Sequence, residues 1–302
     1  MKRPPRCPAP SWSIIVTVIA LFGLLLLTAA AYPVRAAAAQ SPGAERLVVL
    51  DSTLAEIVVA LGAAAQIIGT AAGSEHIAEL AQTPRLPGFR QTSAEPILAL
   101  APTIVLLGRD RTLPQTLQQL QAAGVAIVKL GDEASEAGVE QRIRAIARLL
   151  GRGPQGEALV ARFKSDLQSA RQWVARARTR PKAVFILAGG GRPTVAGGRG
   201  TNTAALLEMA GAQNVADDFE GYKAMSQEAL LMAAPEFILT NAEGLAAGGG
   251  APAVLTAPGA AGTPAARSRR LITIPGQYLQ GLGLSTPAGI RLLAAQLHPE
   301  LR

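Results

Sequence analysis

Histidine, cysteine and tyrosine carry much of the metal, nucleophile and proton-transfer chemistry of proteins, and this sequence of 302 residues uses them sparingly. It has two histidines (His76 and His298), one cysteine (Cys7) and three tyrosines. Transition-metal sites built from protein ligands need several His, Cys or carboxylate side chains at short, characteristic spacings, and no such grouping occurs. A hydrolytic centre would have to be assembled from Asp51, Glu75 or Asp218, but nothing in their spacing pairs them. Neither a G-x-S-x-G elbow nor an H-E-x-x-H helix is present. An exported hydrolase using those carboxylates is the reading from another class, and the better-supported chemistry is recognition without catalysis.

The segment AGGGRPTVAGGRGTNT (residues 188–203) is the clearest recognition element. It follows the apolar run KAVFIL and precedes helix-like text, yet its spacing is not G-x-G-x-x-G, which argues against a dinucleotide loop. Glycines permit close backbone approach, a helix beginning near Asn202 or Thr203 offers N–H groups, and Arg192 and Arg199 supply positive charge, so the segment suits a carboxylate. A solvated loop is the other reading of the same composition. The Gly/Ala-rich stretch 244–266 reads as a loop with no chemistry of its own.

These residues need a scaffold, and short β-branched runs alternating with helical patterns predict a parallel α/β fold. RLVVL (46–50), IIGT (67–70), TIVLL (103–107) and AIVKL (126–130) form one series of strands; KAVFIL (182–187), EFILT (236–240) and RLITI (270–274) form a second. Between them, Leu159, Val160, Phe163, Leu167, Ala170 and Val174 recur at helical spacing and predict one long amphipathic linker helix. A repeat supports two lobes of similar build: SAEPILALAPTIVLL (93–107) matches SQEALLMAAPEFILT (226–240). In each copy a serine can cap a short helix, Glu95 or Glu228 sits in the first turn, and a proline follows the helix. The expected organisation is a signal peptide over 1–39, an N-terminal α/β lobe over 40–153, the linker helix over 154–180 and a C-terminal α/β lobe over 181–302, with a ligand cleft between the lobes.

The net charge of +8 and a pI near 10.3 invite a nucleic-acid reading. The placement of the charge argues against it. Lys2, Arg3 and Arg6 precede an apolar run over 13–31 that ends in small residues, the grammar of a signal peptide cleaved near residues 37–40; a retained anchor is the alternative. Cleavage removes four of the 29 basic residues and none of the 21 acidic ones, leaving +4. Cys7 would go with the leader, and no lipid-accepting cysteine follows the apolar run, so a free periplasmic protein is expected. No nucleic-acid motif is present.

The secretion signal, the Ser-x-Glu repeat, the bridging helix, GGRGT (197–201), DFEGYK (218–223) and YLQGLGLSTP (278–287) together resemble the haem-binding proteins of haem ABC importers. These belong to the helix-linked class of substrate-binding proteins that also serves cobalamin and siderophores. The resemblance covers nearly all of the chain after the leader. It implies a monomeric receptor that carries haem as transported ligand, has no resident cofactor, and delivers to a permease dimer in the inner membrane. Cobalamin or a ferric siderophore is the alternative cargo. Glu95 and Glu228 match the two glutamates that meet permease arginines. The sequence departs from the family in one respect: the iron-ligating tyrosine before S-A-E is replaced by Gly88 or Phe89, and the family's distal-lobe histidine position falls at residues 188–190, where none stands. Haem iron accepts His, Tyr or Met, so His76, Tyr222, Met225 and Tyr278 are the substitute candidates, Tyr222 first. Each also has an ordinary reading in packing. Phe89 could stack on the macrocycle, and Arg90, Arg192 and Arg199 could pair with propionates.

Overall fold

Side-chain alternation builds the first sheet. Leu47 and Val49 of β1 (Leu47–Val49) point to one face and Val48 to the other, and all three are fully buried, as expected for a parallel strand covered on both faces. The computed structural model describes residues 45–87, 92–108, 114–131, 133–189, 192–247, 249–279 and 281–301, so the expected signal peptide lies outside the described residues. After β1 come α1 (Ser52–Ala60), β2 (Ile67–Ala71), β3 (Arg85–Leu86), α2 (Ala94–Leu98), β4 (Ile104–Leu107), α3 (Pro114–Ala122), β5 (Ala126–Lys129) and α4 (Glu136–Leu149). The five strands run parallel in the order β3-β2-β1-β4-β5. One face packs on α1 and α4 through Leu54, Ile57, Val139 and Ile143; the other packs on α2 and α3 through Ile97, Leu117 and Leu120.

The linker helix α5 (Gly153–Val174) buries Gly156, Val160, Phe163, Leu167, Ala170 and Val174 along one stripe. It pairs with α4 through Arg171–Glu136 at 2.7 Å, Lys164–Glu140 at 3.3 Å and Arg144–Glu157 at 2.9 Å. Such exposed pairs contribute about 0.2 to 1 kcal/mol each; the apolar stripe does most of the joining.

The second half comprises β6 (Lys182–Gly189), β7 (Arg192–Gly197), α6 (Asn202–Met209), β8 (Gln213–Asn214), β9 (Tyr222–Ala224), α7 (Gln227–Ala233), β10 (Phe237–Asn241), α8 (Ala242–Ala247), α9 (Gly250–Leu255), α10 (Pro264–Arg267), β11 (Leu271–Ile274) and α11 (Thr286–Leu297). Its strand order is β11-β10-β6-β7-β9, with β8 beside the start of β6. The β11-β10-β6 trio is parallel, whereas β6-β7 and β7-β9 are antiparallel. The glycine-rich segment, for which a solvated loop is the alternative reading, and the 244–266 stretch, which reads as a loop in the sequence, both carry regular elements among the described residues. Thr194 and Val195 favour a strand within the glycine-rich segment, and β7 finds ladder partners on both sides. The 244–266 stretch forms α8, α9 and α10, because alanine is the best helix former and Val254, Ala257, Ala260 and Ala265 can be buried on the outer face of the sheet.

A single apolar core runs from the inner face of the first sheet through α5 to Ala183, Phe185, Leu239, Ile272 and Leu293 of the second. A strap before α11 adds a second connection. Arg142 of α4 donates to the Leu282 carbonyl at 2.5 Å, and the Glu56 carboxylate accepts from the Ser285 amide at 3.2 Å. Gly281 and Gly283 lie so close to Thr53 that an added Cβ would sit 3.1 Å from its side chain.

Candidate functional site

Parallel α/β sheets bind ligands beyond the carboxyl ends of their strands, and here the two sheets bring such ends together. A cleft of about 1170 Å³ lies between Leu50, Asp51, Ser52, Ala71, Ala72, Gly73, Glu75 and His76 on one side and Phe185, Leu187, Val195, Asn202, Thr203, Tyr222, Asn241, Glu243, Gly276, Gln277 and Leu279 on the other. Leu50, Phe185, Leu187, Val195 and Leu279 make much of its wall apolar. Tyr222 is the only phenol among the described lining residues. Its side chain stands 39% exposed, with the ring edge-on to Phe185 at 6.2 Å and 75°.

The carboxylates in the cleft are engaged by the chain itself. Asp51 caps α1, accepting from the Thr53 and Leu54 amides at 2.8 and 3.2 Å. Glu75 accepts from the Gly73 amide at 2.8 Å, and Glu243 from the Gly276 amide at 3.1 Å. Burial alone would raise the Glu75 carboxyl, but the amides of Gly73 and of Glu75 itself, with Arg85 and His76 nearby, bring it below the usual carboxylate range. These groups shape loops. None is paired with a second carboxylate for acid–base work, and Asp218 is an exposed residue that does not line the cleft.

His76 lines the cleft with its Nε2 2.8 Å from Glu56 Oε1. That hydrogen bond holds the imidazole above the usual histidine range, against the opposing effect of partial burial. Through Glu56, His76 is also linked to the strap at Ser285. Positive charge is otherwise scarce, with no lysine or arginine among the described lining residues. The first turn of α6 supplies what there is. Asn202 and Thr203 face the cleft, and the helix is capped by the neutral hydroxyl of Thr201, which accepts from Ala204 at 3.1 Å, so no carboxylate offsets the helix dipole there.

The expected ligand residues divide three ways. His76 and Tyr222 both line the cleft. Met225 packs on the outer core of the second sheet and Tyr278 against Gly289 of α11, so both stand apart from the lining; their side chains complete apolar layers that the sequence spacing did not reveal. The Arg199 guanidinium donates to the Asp217 carbonyl, which fixes the β7–β9 end and keeps it out of the lining. Phe89 and Arg90 lie outside the described residues, and Arg192 is placed only as the first residue of β7. Sequence reading missed Asn241 and Gln277, although each stands at a strand end or just after one. His298, fully buried, bonds the Ala210 carbonyl at 3.0 Å and is structural.

Glu95 and Glu228 are exposed in the first turns of α2 and α7. The two copies of the repeat agree closely in structure. Ile97 and Leu230 are both fully buried, and Ala101 and Ala234 both adopt φ of 48° before their prolines. One expected cap is absent. Ser226 accepts from the Ala229 amide at 3.0 Å, whereas Ser93 makes no side-chain cap, because Pro96 stands where the donor N–H would be.

Known proteins share this arrangement. A family model described as "Periplasmic binding protein" matches residues 47–278. The apo form of the periplasmic heme-binding protein RhuT from Roseiflexus sp. RS-1 is 32% identical with a TM-score of 0.81, over 86% of this chain and 100% of that one. The vitamin B12-binding protein of Pectobacterium atrosepticum is 27% identical over 224 residues, 72% of this chain and 76% of its own. An uncharacterized ABC transporter substrate-binding lipoprotein of Bacillus subtilis, YvrC, is 24% identical over 200 residues, 65% of this chain and 63% of its own length.

Proposed function

Because the chain belongs to the periplasmic binding protein family, we propose that it is a receptor that holds haem between its lobes and delivers it to the permease of an ABC importer. The observation that carries this reading is the cleft itself. Its volume of about 1170 Å³ lies above the range of about 300 to 1,000 Å³ usual for small-molecule pockets, which suits a macrocycle better than a single amino acid or metal ion. Apolar walls fit the faces of a porphyrin. Tyr222 is the iron ligand of choice, with His76 second because Glu56 already holds it. The first turn of α6 faces the propionates. Similarity to RhuT over its full length supports haem as cargo.

A cobalamin reading rests on the vitamin B12-binding relative and on the amides of Asn202, Asn241 and Gln277 in the cleft, which could pair with corrin amide groups. Titration decides between them. The purified protein should bind haem saturably with a shifted Soret band, while added cyanocobalamin leaves that titration unchanged. Tight cobalamin binding with no haem shift would overturn haem and leave the receptor role standing. Export to the periplasm after loss of residues 1–39, a monomeric state, and docking through Glu95 and Glu228 complete the proposal.

A further inference from the structure

The two Ser-x-Glu units share their serine, their glutamate and the buried apolar residue two places on, but Ala99, the residue that follows α2, has Met232 of α7 as its counterpart. Met232 is 83% exposed, the most exposed of the large apolar side chains described, and Leu231 beside it is 47% exposed. Leu231 is held against the chain, since an added Cβ on Gly262 would come within 2.7 Å of its Cδ1. Met232 is left standing as a knob. Glu228 lies four residues before it and so shares its face of the helix, and none of the described ion pairs includes Glu228. An unpaired carboxylate beside an exposed methionine calls for a surface that offers a cation next to an apolar pocket.

We propose that Glu228 and Met232 form one docking patch for the membrane permease, whose complement is an arginine or lysine bordering an apolar pocket, and that the C-terminal lobe therefore makes the tighter of the two lobe contacts. This rests on the receptor reading. The N-terminal patch has the carboxylate of Glu95 but only Ala99 beside it, so its contact is chiefly electrostatic. Methionine suits the role because its flexible, polarizable side chain adapts to an irregular pocket.

The test measures binding of the protein to its permease–ATPase complex in lipid nanodiscs, alongside haem titration and sedimentation of the free protein. Met232→Ala should weaken permease binding about tenfold, as expected for losing most of a buried methionine contact, while Met232→Leu largely restores it. Haem binding and sedimentation should be unchanged. Ala99→Met should tighten binding. Unchanged affinity of Met232→Ala for the permease overturns the proposal. So does equal binding to empty nanodiscs, which would make the patch a lipid contact, or a wild-type dimer lost in Met232→Ala, which would make it a self-association surface. Wild type that binds haem but not the permease would overturn the docking patch and the delivery role together, while wild type that binds the permease but not haem would leave the patch and remove only the cargo.

Discussion

At the scale of single residues, Tyr222 and His76 carry the most specific expectations. Tyr222→Phe removes the proposed oxygen ligand and keeps the ring that meets Phe185, so haem affinity should fall roughly tenfold or more and the visible spectrum should change, with the melting temperature unaltered. An unchanged spectrum would take Tyr222 out of the iron's coordination. For His76, the hydrogen bond with Glu56 raises the folded-state pKa above the ordinary value of 6.5. A group raised in this way adds stability that is fully present below the unfolded pKa and is lost as pH climbs through the folded one. Urea unfolding from pH 6 upward should therefore show a decline starting near 6.5 that is absent in His76→Gln. Parallel profiles for the two proteins would show that the pair does not differ between folded and unfolded states.

Among the elements, the two repeat helices make a controlled pair. Removing the cap in Ser226→Ala should cost about 1 kcal/mol, whereas Ser93→Ala should cost little, because Pro96 already denies Ser93 its donor. Thermal melts of both variants measure the difference, and equal losses would refute the capping explanation. The strap gives a larger effect. Arg142 is only 4% exposed and reaches the carbonyls of Gly131 and Leu282 at 2.9 and 2.5 Å. Its burial works against the charge, and Asp51 and Glu133 support it. Arg142→Met strips both carbonyls of their donor and should lower stability by about 2 to 4 kcal/mol, read from the urea midpoint. A loss below about 1 kcal/mol would mean that water replaces the guanidinium.

For the whole molecule, separation of the cleft from the proposed docking faces is the governing feature. Glu95 and Glu228 lie on exposed helix turns and line no part of the cleft, so the paired Glu95→Arg and Glu228→Arg variant should abolish haem uptake by cells while haem affinity stays within about twofold. Loss of haem affinity in a folded double variant would place these residues in ligand binding. The two connections between the lobes, α5 with its continuous core and the strap held by Arg142 and Glu56, restrict relative motion, which fits a receptor whose cleft is largely formed before the ligand arrives.

What the sequence determined by itself was set by local physics. Short apolar runs such as RLVVL, the 3.6-residue stripe from Val160 to Val174 and the repeated Ser-x-Glu-to-Pro unit each state an element's type within a dozen or so residues, and all three recur in the structure. Even the missing Ser93 cap was written in Pro96. The tertiary structure decided which strand ends meet and what each polar group is already bonded to. Tyr222 and His76, separated by 145 residues, face one cleft because the two sheets present their carboxyl ends to each other; Tyr278, equally promising as a residue type, is turned into the core against Gly289. Asp51 and Glu75, candidate acids in the sequence, prove to be partners of backbone amides. Hydrogen-bond engagement and burial depend on distant neighbours, and these are chosen only when the chain closes on itself.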